Sequence, residues 1–144
     1  MDKMRRPRIL LGKVGLDGHT TGLYTVSKGL SDAGFEVIFG GIRLTPIQMA
    51  SIALQEEVDA IGISILSGAH LTLSRNLFRS LKEVGLGDLP VVIGGIVPPE
   101  DIPKLKEMGV REVFIPGTFM TEIVSRLKKA LDTPDFDNES QLNF

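Results

Sequence analysis

The chain contains no cysteine. That excludes disulfides, thiolate metal sites and cysteine nucleophiles, and it fits a cytoplasmic setting. No apolar run approaches the length of a membrane span; even the largely apolar stretch Val58 to Leu66 is far too short. The first residues, Met1 to Pro7, are basic but lack the apolar stretch of a signal peptide. Lysines and arginines (16) nearly balance aspartates and glutamates (18), and both signs are interspersed. There is neither the basic patch that nucleic acid requires nor a polyacidic tail. Histidines number only two, so candidate metal ligands are few.

What is present is a repeated order of short apolar strands and amphipathic helices. Arg8 to Gly12 reads as a first strand, and Leu23, Val26 and Leu30 recur at helical spacing up to a stop at Gly34. Phe35 to Phe39 is a second strand. Thr45, Pro46 and Gln48 carry a capping box and a helix-opening proline, with Ile47, Ala50 and Leu54 expected to face inward. Ala60 to Ser64 is a third strand, followed by a helix marked by Leu73, Leu77, Leu81 and Val84 and ending at Gly85. Pro90 to Gly94 is a fourth strand, apolar on both faces. A helix over 100–108, a strand over 112–115 and a helix over 119–131, with Ile123, Leu127 and Ala130 inward, complete the pattern. The polar stretch 133–144 is expected to form a loose tail after a single domain over 1–132.

Five β-α units without an internal repeat predict an α/β protein. The expected architecture is a flavodoxin-like, Rossmann-like parallel sheet of five strands, order 2-1-3-4-5, with helices on both faces. Ligands of such sheets sit at the carboxyl ends of the strands, where the strand order reverses. The segments delivered to that edge are Lys13 to Gly22, Ser64 to Gly68, Gly94-Gly95 and Pro116-Gly117-Thr118. They bring together one histidine, a paired carboxylate, small hydroxyls and several glycines. Glycine lets a bulky ligand approach the backbone, so a wide slot with few charges suits a large and mostly neutral group.

Within the first segment, Asp17-Gly18-His19-Thr20-Thr21-Gly22 places a carboxylate two residues before an imidazole. Such a pair can fix one histidine tautomer and present its other nitrogen to a metal. Singly, each residue has a plainer role. Gly94-Gly95 can be a turn, Ser64 a strand-end hydroxyl, Asp17 a helix cap, His19 a helix-start residue and Lys13 a solvated loop charge. His70 is expected simply to start the third helix, and Arg43 and Thr45 to form a loop and cap. Joint placement on one edge sets the first group apart.

Asp17-x-His19-x-x-Gly22, Ser64-x-Leu66 and Gly94-Gly95 at this spacing resemble the cobalamin-binding domain, over about Arg8 to Leu131. The finer resemblance is to the cobalamin-binding part of acyl-CoA mutases of the methylmalonyl-CoA mutase group. It rests on Lys13 to His19, Asp32 to Val37, Gln55 to Asp59 and Ser64 to His70. The resemblance implies that His19 replaces the cofactor's own benzimidazole as lower cobalt ligand. Asp17 would bond the far imidazole nitrogen, Lys13 would back Asp17, and Gly18 would be a cofactor-binding residue of the same loop. Ser64, Leu66, Gly94 and Gly95 would line the slot for the displaced nucleotide tail. Gly22 would let the first helix pass close to that tail, and Gly117 and Thr118 would close its far end.

The implied cofactor is adenosylcobalamin with its cobalt. The implied partner is a separate large acyl-CoA-binding (β/α)8 barrel mutase subunit, with no nucleic acid and no membrane involved. The implied role is the small subunit of a radical carbon-skeleton isomerase, without catalytic residues of its own and inactive alone. Many such mutases resemble Asp-Gly-His-Asp-Arg-Gly at the motif, with a lysine two residues further. Here Thr20, Thr21 and Tyr24 stand at those positions. The alternative is a corrinoid carrier protein for methyl transfer; such carriers commonly have a helical module ahead of this domain, and only about seven residues precede the first strand here. A phospho-receiver would need an aspartate where Ser64 stands. A flavodoxin would need a Ser/Thr-rich phosphate loop where Lys13 to His19 stands.

Overall fold

Strand β1 (Arg8–Val14) is buried at every residue after Arg8, as a strand covered on both faces must be. The computed structural model describes residues 6–15, 21–65 and 68–131. The remaining elements are α1 (Thr21–Asp32), β2 (Glu36–Leu44), α2 (Pro46–Glu56), β3 (Ala60–Ile65), α3 (His70–Glu83), β4 (Val91–Gly95), α4 (Ile102–Met108), β5 (Val110–Phe114) and α5 (Met120–Ala130). A short 3-10 turn, Pro99–Asp101, precedes α4. The sheet order is β2-β1-β3-β4-β5 and every neighbouring pair is parallel, which is the flavodoxin-like order expected from the alternating pattern.

Period-two alternation along the strands divides the core into two layers. Ile9, Leu11, Ala60, Val92 and Phe114 face α1 and α5 and pack with Leu23, Leu30, Ile123 and Leu127. Leu10, Ile61, Ile63, Val91 and Ile93 face the other way and pack with Met49, Ala53, Leu77, Leu81 and Leu105 of α2, α3 and α4. The predicted helix stops act as predicted. Gly34 has φ +105° and Gly85 φ +84°. Phe35 N–H donates to Leu30 O at 3.0 Å and Leu86 N–H to Leu81 O at 2.8 Å, the six-to-one bond that satisfies a helix end past a left-handed glycine. At the start of α2, Thr45 and Gln48 make both bonds of the capping box.

Several boundaries and one face differ from the sequence pattern. α2 turns Met49, Ala50 and Ala53 inward, whereas Ile47 and Leu54 are 71% and 49% exposed. The helix is apolar nearly all round, so its period is ambiguous, and the stripe with two alanines is the one that seats closely on the sheet. Val84 lies just past α3 and is also exposed. β1 runs to Val14 rather than Gly12. β2 continues through Gly40-Gly41 to Leu44, with register shifts against β1 and φ +119° at Gly41. The glycine pair is thus a bulge in an edge strand and not the end of it. The 3-10 turn takes the first residues of the predicted fourth helix, and β5 starts two residues before its predicted position.

Candidate functional site at the carboxyl edge of the sheet

One row of residues crosses the sheet near its carboxyl edge. Lys13 of β1 is the register partner of Ser64 of β3, Ser64 of Gly94 of β4, and Gly94 of Phe114 of β5. Between this part of the sheet and helices α1 and α5 lies a cavity of about 490 Å³, within the usual range for small-molecule sites. Ser64, Gly94 and Gly95 form one wall, Gly22, Thr25 and Val26 of α1 another, and Pro116, Gly117 and Thr118 a third. Ile9, Leu30 and Leu127 line it toward the core. Among the described residues no charged side chain lines it, and the polar ones are hydroxyls: Thr25, Ser64 and Thr118.

The glycines of this cavity are not equivalent. A Cβ on Gly22 would meet no heavy atom within 4 Å, and one on Gly94 only the Phe114 carbonyl oxygen at 3.9 Å. At these two positions the absent side chain leaves room that belongs to the cavity. Gly95 has φ +146° and a Cβ there would overlap the Ile65 carbonyl oxygen. Glycine at 95 is therefore demanded by the approach of β4 to β3, independently of any ligand. Gly117 has φ +92° in a tight turn in which Thr118 donates to Ile115 O through both its backbone N–H (3.2 Å) and its hydroxyl (2.7 Å). Phe114 is backed by the Arg126 guanidinium, 4.6 Å from its ring centroid, and Arg126 is in turn bonded to Glu112.

Of the residues singled out in the sequence, Gly22, Ser64, Gly94, Gly95, Gly117 and Thr118 come together around this cavity. Lys13 does not line it. It is 1% exposed, so it is a buried strand residue rather than a solvated loop charge. Asp17, Gly18, His19 and Leu66, like the tail 133–144, lie outside the described residues. The chain leaves β1 through Gly15, whose N–H donates to Leu44 O at 3.0 Å, and re-enters at Thr21, next to Gly22. Arg43, just before Leu44, holds an exposed left-handed conformation at φ +54°. Tyr24 is 56% exposed and stacks on Phe39, ring centroids 5.3 Å apart.

Two features escape the sequence pattern. Thr25 and Val26 join Gly22 in the wall because they stand three and four residues further along α1, on the same face; the spacing was legible, but nothing marked Thr25 as different from a solvent-facing threonine. His70 does begin α3, as expected, yet it is buried and its Nε2 lies 2.7 Å from Asp101 Oδ2.

The model of the B12 binding domain matches residues 7–125. The chain is 44% identical over 121 residues to the 2-hydroxyisobutanoyl-CoA mutase small subunit of Aquincola tertiaricarbonis, covering 84% of this chain and 89% of that one. It is 40% identical over 131 residues to ethylmalonyl-CoA mutase of Methylorubrum extorquens, covering 88% of this chain but spanning only 19% of that much longer protein. Among solved structures, a cobalamin-binding protein of Desulfitobacterium hafniense DCB-2 superposes with a TM-score of 0.74 at 24% identity, over 88% of this chain and 59% of that one; this likeness shows the fold.

Proposed function

The chain belongs to the B12-binding domain family, and on that premise we propose that it is the cobalamin-binding small subunit of an adenosylcobalamin-dependent acyl-CoA mutase. The observation that carries the proposal is the cavity at the carboxyl edge, lined by no charged side chain among the described residues, where Gly22 and Gly94 leave empty space against the sheet. Its position and lining suit the nucleotide tail of a corrinoid, which Ser64, Gly94 and the turn at Gly117 and Thr118 would hold. A small anion would instead select basic side chains or a cluster of backbone N–H groups. The likeness to a small subunit of almost the same length supports the assignment as a subunit.

In this reading Ser64 offers a hydroxyl to the tail, while Gly22, Gly94 and Gly117 let backbone approach it and Thr118 fixes the turn at its end. The apolar lining, Ile9, Leu30 and Leu127 among it, keeps water from the buried end of the slot. His19 would ligate cobalt, a role imidazole suits. Asp17 would hold its far nitrogen and raise its basicity, with Lys13 behind Asp17. When bound, adenosylcobalamin supplies a carbon-centred radical through homolysis of its cobalt–carbon bond. This chain's task is to seat and orient the cofactor. The acyl-CoA would be held by a large (β/α)8 barrel subunit, which also decides which acyl group is rearranged, in the cytoplasm.

Reconstitution tests the subunit assignment. The purified chain, a barrel-type large subunit, adenosylcobalamin and an acyl-CoA are combined and the isomer is followed by chromatography. Product is expected only when both chains are present. Isomerase activity from this chain and cofactor alone would overturn the assignment.

A further inference from the structure

The cofactor seat leaves the pair of buried His70 and half-buried Asp101 without a task. His70 is 4% exposed and opens α3. Asp101 ends the 3-10 turn before α4, and its side chain is 15% exposed. Lys104 Nζ reaches the other carboxylate oxygen at 3.4 Å. The hydrogen bond from His70 holds the Asp101 carboxyl below the ordinary aspartate range; burial opposes this and Lys104 reinforces it. Asp101 is therefore ionised and accepting, and His70 Nε2–H donates.

The place of this bond in the fold gives it a purpose. Ser64 and Gly94 face each other across β3 and β4 and wall the cavity. His70 follows Ser64 by six residues and Asp101 follows Gly94 by seven. The two connections that leave the cavity wall are thus joined again by one part-buried hydrogen bond. The helices it joins, α3 and α4, cover the opposite face of the sheet, so the bond lies away from the cavity lining. Leu77 and Leu81 also bury α3 against the core.

We infer that His70 and Asp101 form a clasp that fixes the exits of β3 and β4 relative to each other, and that both are positioning residues for the corrinoid seat. The inference rests on the cobalamin reading above. A part-buried hydrogen bond to a carboxylate makes a directional contact that apolar packing cannot replace, which suits a device that sets geometry.

The test measures cobalamin affinity by visible absorbance on purified, folded variants, with thermal melting of the cofactor-free chains alongside. His70→Ala and Asp101→Ala are each expected to weaken binding on the order of tenfold, as loss of a hydrogen bond to a charged group does. The double variant is expected to lose no more than either single one, because the two act as a unit. His70→Gln, which keeps an N–H donor, should recover most of the affinity. Should His70→Ala fail to fold, Asp101→Asn carries the test and should bind several-fold more weakly. Variants that melt lower but bind with unchanged affinity, or single losses that add in the double variant, overturn the clasp. A wild-type chain that binds no cobalamin overturns the cofactor reading itself; a wild-type chain that binds while the His70 and Asp101 variants bind equally well overturns the clasp alone.

Discussion

Ser64 and Gly94 are register partners on β3 and β4, and both line the cavity at the carboxyl edge of the sheet. A hydroxyl stands beside a bare stretch of backbone, and the nearest atom that a Cβ on Gly94 would meet is the Phe114 carbonyl oxygen at 3.9 Å. The neighbouring Gly95 has no such room. This contrast separates a glycine that leaves room in the cavity from a glycine the fold requires.

Gly94→Val should therefore fold and melt near the wild-type temperature while losing cobalamin affinity by roughly tenfold or more, because its methyl groups occupy the slot. Gly95→Ala should lose stability by about 2 kcal/mol or more, through overlap with Ile65 and a positive φ. Urea unfolding and a binding titration on the two variants check this; equal effects on both quantities would show the distinction to be wrong.

The exposed stripe of α2 makes a second prediction. Ile47→Glu and Leu54→Lys should change the unfolding free energy by no more than about 0.5 kcal/mol. Met49→Ala, at a fully buried position, should cost about 2–5 kcal/mol. Chemical denaturation of the three variants separates these magnitudes.

Asp101 sets a pH dependence whose sign follows from its lowered pKa. A carboxyl with a folded pKa below its unfolded value stabilises the protein above the unfolded pKa, about 3.9 for aspartate. That contribution fades as pH falls from there through the folded value. His70 and Lys104 are the groups facing it. The stability difference between wild type and Asp101→Asn, followed by urea unfolding, should shrink on acidification below pH 4. A difference that grows as the pH falls would contradict the assigned shift.

The strand–helix alternation was legible because each unit ends on a local signal. Gly34 and Gly85 take the left-handed conformations that close their helices, and Thr45 with Gln48 caps α2. Patterns that depend on neighbours were not legible. The inward face of α2 could not be chosen from its own sequence, since apolar residues occupy both sides and only the sheet selects Met49 and the two alanines. Gly94 and Gly95 are identical in sequence and differ only in φ and in what lies opposite. Thr25 looks like any helical threonine until α1 is laid on the sheet. His70 finds its partner 31 residues away, beyond the reach of any local motif. The cavity itself was foreshadowed by the topology, which brings the ends of β1, β3, β4 and β5 to one edge.

The central claim is that His19 ligates the cobalt of a bound cobalamin and that Asp17 orients it. The most direct measurement is a titration of the purified chain with cobalamin, followed by visible absorbance, for wild type, His19→Ala and Asp17→Asn. The wild-type spectrum should shift to that of cobalamin with its benzimidazole displaced and histidine bound. His19→Ala should lose that signature, and Asp17→Asn should weaken binding on the order of 10–100-fold. The same spectrum and the same affinity in His19→Ala as in wild type would contradict the account.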